Sequence, residues 1–313
     1  MSIHQPNLQP QQESLPPITD AILKRAREGL RAARDRAVRR SSQAALKQAE
    51  AVAKGDIEPI VSGGLRRAVL RLLIHTLFNV KVEFPKRIPH GPTILAANHL
   101  NHIDPFLLLA ETPSQPYYYI LGDTRSLYNR WWKRQILGPS GGVIPLDRRW
   151  KEEIAVIAAA KSGRRDLVEL ADAIEQDVPS GSDIQSLRQI GRIVQGILTR
   201  GDGVILFPEG RLGTTEGHLH QPLKRGTVLY ALRAGTPITP VALIGTQDLY
   251  LRKTLTVRLG EPLYFRQSNR PKKQELDLAL ENLQAALITL LPKTYQEPKG
   301  LKLLRYCLNH MFW

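Results

Sequence analysis

Much of the chain's apolar character comes in short unbroken runs. Ile94–Ala97, Tyr117–Leu121, Val143–Leu146, Val204–Phe207, Thr239–Ile244 and Thr256–Leu259 are four to six residues long. Short apolar runs bounded by turn residues read as strands buried on both faces. Between them, Pro105–Glu111, Ser126–Leu137, Ser186–Thr199, Leu223–Ala234 and Lys273–Leu291 carry helical patterns. From Phe84 onward the two kinds of segment alternate. That predicts an α/β fold: a mixed, largely parallel sheet flanked by helices, with an N-terminal helical segment.

Three regions are expected. Residues 1–17 are polar and rich in Pro and Gln, the composition of a disordered tail. They hold no apolar stretch of signal-peptide type. Residues 18–80 form a basic helical region. Within it, Ile18–Lys54 is rich in Ala and Arg with a thin apolar stripe of Ile22, Ala26, Leu30, Ala33 and Ala37. Leu65–Val80 is more apolar, but Arg66, Arg67, Arg71 and His75 interrupt it, so it does not read as a membrane span. Its apolar side suits a helix lying in a membrane interface or one packed on the domain. Residues 81–313 form the α/β domain. Lys161–Ser186 within it is polar and is expected to be a long surface excursion. The last segment, Gly300–Trp313, places Leu301, Leu304, Leu308 and Met311 at helical spacing beside Lys302 and Arg305 and ends in Phe312-Trp313. That is a basic amphipath suited to interfacial anchoring or to docking on the protein's own core.

Charge narrows the choice of partners. The 313 residues carry a formal net charge of +15, which favours anionic partners: nucleic acid, anionic lipid or phosphorylated substrates. With a single cysteine, Cys307, the chain forms no internal disulfide and fits a reducing compartment.

The densest chemistry is Asn98-His99-Leu100-Asn101-His102-Ile103-Asp104-Pro105, directly after the strand Ile94–Ala97. Pro105 suits the first turn of a helix, with Asp104 expected as its N-cap. A carboxylate that fixes one tautomer makes His99 a competent base toward a hydroxyl. Two further strands run into arginines. Gly142-Val143-Ile144-Pro145-Leu146-Asp147-Arg148 delivers Arg148, whose planar fork suits phosphate. Val204–Phe207 leads into Pro208-Glu209-Gly210-Arg211, where Gly210 permits close backbone approach to a ligand. A fourth block, Pro237-Ile238-Thr239-Pro240-Val241, is a strand with prolines near its start.

Together these four blocks resemble the glycerolipid acyltransferase family that includes lysophosphatidic acid acyltransferase. His99 and Asp104 match its His, four residues, Asp block. Gly142, Ile144 and Arg148 match the second, Phe207-Pro208-Glu209-Gly210 the third, and Ile238–Val241 the fourth. The resemblance spans about Thr93–Leu263. It implies transfer of an acyl group from a thioester, acyl-CoA or acyl carrier protein, to a hydroxyl of glycerol phosphate or a lysophospholipid, with 1-acylglycerol-3-phosphate as the expected acceptor. His99 would be the base and Asp104 its orienter. Asn98, Asn101, Arg148, Glu209, Gly210 and Arg211 would contact substrate. No cofactor or metal is implied, and the expected location is peripheral, on the cytoplasmic face of a membrane. The chain departs from the pattern in three places. Asn101 stands where the family has Ser, Arg211 comes one position early, and the spacing from Arg148 to Phe207 is long.

Three other readings compete. Gly138-Pro139-Ser140-Gly141-Gly142 spells a nucleophile elbow, but a helical pattern precedes it and a strand follows, the reverse of what that motif needs. His99 and His102 with His218 and His220 suggest a metal-dependent hydrolase, although the pairs lie far apart in sequence. The basic stretch Arg31–Arg40 could meet a phosphate backbone, but no reader motif or aromatic accompanies it, which argues against nucleic acid.

Overall fold

The computed structural model describes residues 15–131, 133–134, 141–181 and 183–311. Seven strands form one sheet in the order β1-β7-β6-β2-β5-β3-β4. They are β1 (Asn79–Glu83), β2 (Ile94–Ala97), β3 (Tyr118–Asp123), β4 (Val143–Leu146), β5 (Gly203–Leu206), β6 (Ile238–Ile244) and β7 (Thr254–Leu259). Every neighbouring pair is parallel except β6 with β7, so the sheet is mixed and mostly parallel, as the alternation predicts.

The apolar runs are continuous because both faces of the central strands are covered. Along β2, Ile94 and Ala96 enter one apolar cluster and Leu95 and Ala97 the other. Successive side chains point to opposite faces of a strand, so a strand buried on both sides must be apolar at every position. Among the described residues the helices are α1 (Asp20–Arg34), α2 (Arg36–Lys54), α3 (Gly63–Leu77), α4 (Asp104–Glu111), α5 (Thr124–Tyr128), α6 (Lys151–Lys161), α7 (Val168–Asp177), α8 (Ile184–Thr199), α9 (Gly226–Ala234), α10 (Lys273–Leu290) and α11 (Arg305–His310). On α8, Ile190, Ile193, Val194, Ile197 and Leu198 supply one sheet face at helical spacing. Ile74 and Phe78, at the end of α3, and Leu107 and Leu108 of α4 supply the other.

The chain divides into two compact units. The smaller comprises residues up to Arg40 together with Asp147–Ile184; the larger, Ser41–Leu146 with the chain from Gln185 on, contains the sheet. The smaller unit has its own core of Ala26, Leu30, Val156, Ile157, Leu167, Ala171, Ile174 and Val178. Gly29 allows a close approach there: a Cβ at that position would lie 2.3 Å from Glu153 Oε1. Arg34 Nε donates to Asp177 at 2.7 Å.

Some sequence expectations change. Lys161–Ser186 is not a surface excursion, because it contains α7 and supplies half of the smaller core. Its polar composition hid a helix that buries only Ala171 and Ile174. The helix expected at Ser126–Leu137 starts earlier, at Thr124, where the Asp123 side chain accepts from Ser126 N–H, and its expected end lies outside the described residues. Strand β1 went unread: it is an edge strand of alternating exposure, immediately after α3.

Candidate active site

Register places the site. Parallel pairing aligns Ile94 with Val204 and Ala96 with Leu206, an offset that carries on to set His99 beside Glu209. Both lie just past the carboxyl ends of adjacent parallel strands, where open α/β sheets bind ligands.

The His99 imidazole meets Asp104 through Nδ1 and Oδ2 at 2.9 Å. The same oxygen accepts the main-chain N–H of Leu100 at 2.7 Å and of Asn101 at 2.9 Å. Asp104 is fully buried. Three donors on one oxygen fix the carboxylate, while its other oxygen, Oδ1, is buried without a hydrogen-bond partner among the described residues. With Asp104 accepting at Nδ1, the imidazole carries its proton there and leaves Nε2 with a free lone pair, the form of a general base. The Phe207 ring stacks on the imidazole, centroids 4.1 Å apart at 23°.

Asp104 is not the N-cap of α4. That place falls to Ile103, which is helical and makes no side-chain cap bond, and Asp104 is the first helical residue. Its carboxylate turns back to the 99–101 turn instead of forward to the helix amides.

The main chain of His99 is gripped at both ends. Its N–H donates to Glu209 Oε1 at 2.8 Å, and its carbonyl accepts from Gly213 N–H at 2.6 Å. Glu209 Oε2 accepts the N–H of His220 at 2.8 Å. Burial pushes the Glu209 carboxyl above the usual range, opposed by these main-chain hydrogen bonds. Gly210 turns the chain at φ +67° and donates to the Phe207 carbonyl at 2.9 Å, a left-handed conformation that favours glycine. Arg211 donates to His220 Nδ1 at 2.8 Å.

The structure thus brings His99, Asp104, Glu209, Gly210 and Arg211 into one corner of the larger unit. The Asn98 amide is spent on the sheet: Nδ2 donates to the Leu243 carbonyl at 2.9 Å and Oδ1 accepts Leu243 N–H at 2.7 Å. Asn101 Oδ1 accepts Ile103 N–H at 3.2 Å, shaping the turn. Arg148 falls in the smaller unit, packed so close to Gly181 that a Cβ at that glycine would lie 2.6 Å from the arginine's own Cβ. His220 was singled out only as half of a metal pair, and its role beside Arg211 had no sequence signal. Among the described residues no group of three His, Cys, Asp or Glu is placed to hold a metal ion. Of the elbow-like motif, Gly138–Ser140 lies outside the described residues.

Residues 79–244, just over half of the chain, match the family model described as Acyltransferase. The chain belongs to the acyltransferase family. Among solved structures it is similar to the 1-acyl-sn-glycerophosphate (LPA) acyltransferase PlsC from Thermotoga maritima, at 16% identity and a TM-score of 0.41, covering 86% of this chain and 88% of that one. No curated protein matches the sequence.

Proposed function

We propose that the chain transfers an acyl group from a thioester, acyl-CoA or acyl carrier protein, to the free hydroxyl of a glycerol phosphate lipid, with 1-acylglycerol-3-phosphate as the preferred acceptor. The observation that supports this most is the buried Asp104, which orients His99 while Glu209 of the third block holds the His99 main chain. His99 Nε2 takes the acceptor's hydroxyl proton as the oxygen attacks the thioester carbonyl. The C–S bond then breaks and the thiolate leaves with the proton from the imidazolium. Base catalysis of this kind contributes typically ~10²–10⁴-fold. The thioester is already activated, so the step needs no cofactor and no acyl-enzyme.

Arg211, and Arg148 by its place in the second family block, would supply positive charge to the acceptor phosphate. Glu209 is assigned a different part from the one the family pattern implies: it holds the main chain of His99. The enzyme would act from the cytoplasmic face of a membrane without crossing it. Among the described residues no helix is long and apolar enough to span a bilayer.

A thiol-release assay tests the reading, offering glycerol 3-phosphate, lysophosphatidic acid and lysophosphatidylcholine with CoA and carrier-protein thioesters. Fastest turnover on lysophosphatidic acid is expected. Thiol release at the same rate without any hydroxyl acceptor, with free fatty acid as the product, would mark a thioesterase and overturn it.

A further inference from the structure

Helix α3 leaves an apolar stripe uncovered. Leu65, Val69, Leu72 and Leu73 recur at i, i+4, i+7 and i+8, and all are exposed, Leu72 by 70%. The segment before α11 does the same, with Leu301 exposed by 88%, Leu304 also exposed, and Tyr306 at the start of the helix by 79%. These stretches lie more than 200 residues apart in sequence, yet one loop joins them. Arg252 N–H donates to the Leu77 carbonyl at 2.6 Å, and Leu251 N–H donates to the Leu303 carbonyl at 2.9 Å. Ile74 and Leu308 are buried in the same apolar cluster beneath.

The charge on this surface has one sign. Neither Gly63–Leu77 nor Gly300–Met311 contains an acidic residue. The acids that pair with the two arginines lie deeper: the Arg71 side chain is 45% exposed against 2% for Glu111, and that of Arg305 58% against 20% for Asp248, whereas Lys302 is neutralised by Asp248 and Glu297 at its own depth. Asp248 also holds Lys302 at 2.7 Å and so latches the C-terminal segment in place. What the surface presents outward is leucine, tyrosine and positive charge.

We propose that α3 and the 301–306 segment form one docking surface for an anionic phospholipid bilayer. The proposal rests on the lipid acceptor assigned above and names the surface from which that lipid is drawn. A bilayer supplies both complements at once, an apolar interior for the leucines and anionic head groups for the rim. A second copy of the chain suits the surface poorly, because a two-fold contact sets this cation-bearing patch against an identical one. The loop that joins the two segments begins just after β6, whose carboxyl end lies beside that of β2 and therefore on the His99 edge of the sheet. The acceptor would reach His99 from the membrane side.

The test is flotation of the full chain with vesicles of equal parts phosphatidylglycerol and phosphatidylcholine, for wild type, Leu72→Glu, Leu301→Glu and the double variant. All substituted positions are exposed, and melting temperature checks the fold. Each single variant is expected to lower the bound fraction at least several-fold and the double variant to abolish binding. Turnover of a detergent-dispersed acceptor should be unchanged in all of them. Full flotation of the double variant would overturn the proposal, as would light scattering that shows a wild-type dimer broken by these changes while flotation persists. If the wild type floats but transfers no acyl group, the surface stands and the catalytic reading falls.

Discussion

Glu209 holds His99 by the main chain, and not by the ring: Oε1 accepts the His99 N–H at 2.8 Å while Asp104 takes the imidazole at 2.9 Å. Ring and backbone of one residue are thus fixed by two buried carboxylates from different strand ends. A reacting group held this way keeps its geometry at no cost in reorganisation when substrate arrives.

The dyad gives the first expectation. His99→Ala should lower kcat by ~10²–10⁴-fold or more, with unchanged circular dichroism. Asp104→Asn is the finer probe. A single oxygen of Asp104 takes all three donors, so an asparagine carbonyl can hold the turn while the charge is lost. Its amide then takes the place of Oδ1, which is buried with no hydrogen-bond partner among the described residues. kcat should fall steeply, and stability should fall by the ~1–3 kcal/mol of one unsatisfied buried donor. Near-normal turnover of His99→Ala would refute His99 as base, and of Asp104→Asn, Asp104 as its orienter.

Glu209→Gln separates clamp from substrate contact. Both Glu209 oxygens receive N–H groups, so an amide NH₂ must face a donor and one hydrogen bond is lost. A buried donor left unsatisfied costs ~1–3 kcal/mol of stability. kcat should drop while KM for the acceptor stays near the wild-type value. A raised KM with normal kcat would return Glu209 to the acceptor site.

The arginines should behave in the opposite way. Arg211→Ala and Arg148→Ala should each raise KM for a phosphorylated acceptor by ~10-fold or more, the loss of a charge-assisted contact worth ~1.5–3 kcal/mol. KM for the thioester should barely move. Equal effects on both substrates would identify a structural role.

Glu216 carries the pH expectation. It is buried, accepts from Gln247 N–H at 2.9 Å, and burial raises its carboxyl above the usual value of 4.5. The folded state therefore holds its proton more tightly than the unfolded state. That preference stabilises the fold fully below pH 4.5 and is lost as pH rises through the raised folded value, with a slope of at most ~1.4 kcal/mol per pH unit. Glu216→Gln keeps the acceptor oxygen without the charge. Chemical denaturation from pH 4 to 8 should show the variant gaining on wild type as pH rises. Parallel curves would show that Glu216 ionises freely in the folded state.

The sheet was legible where strands are buried at nearly every position. Ile94–Ala97, at the centre, and Val143–Leu146, at one edge, have the bounds read from their apolar runs, because no polar position blurs them. β1, at the other edge, was not, because it is half exposed, alternates weakly and follows directly on a helix. The His99–Asp104 pairing was legible from spacing. The clamp at Glu209 was not, because it depends on register between strands that lie about 110 residues apart and on which main-chain amides turn inward. The smaller unit was hidden for a different reason. Helices α1 and α7 are polar on most of their surface, and the unit's two halves are separated by the whole first part of the sheet.

That separation bears on how the protein is made. Arg34 meets Asp177, 143 residues downstream. At ~5–20 residues per second, synthesis takes roughly 7–30 s to bring the second half of the smaller unit off the ribosome after the first. For that interval α1 has no partner for Ala26 and Leu30, and a lone helix of its length is marginal in water. Helix α1 therefore gains its apolar partners only after much of the larger unit has been made, so a segment made early packs late.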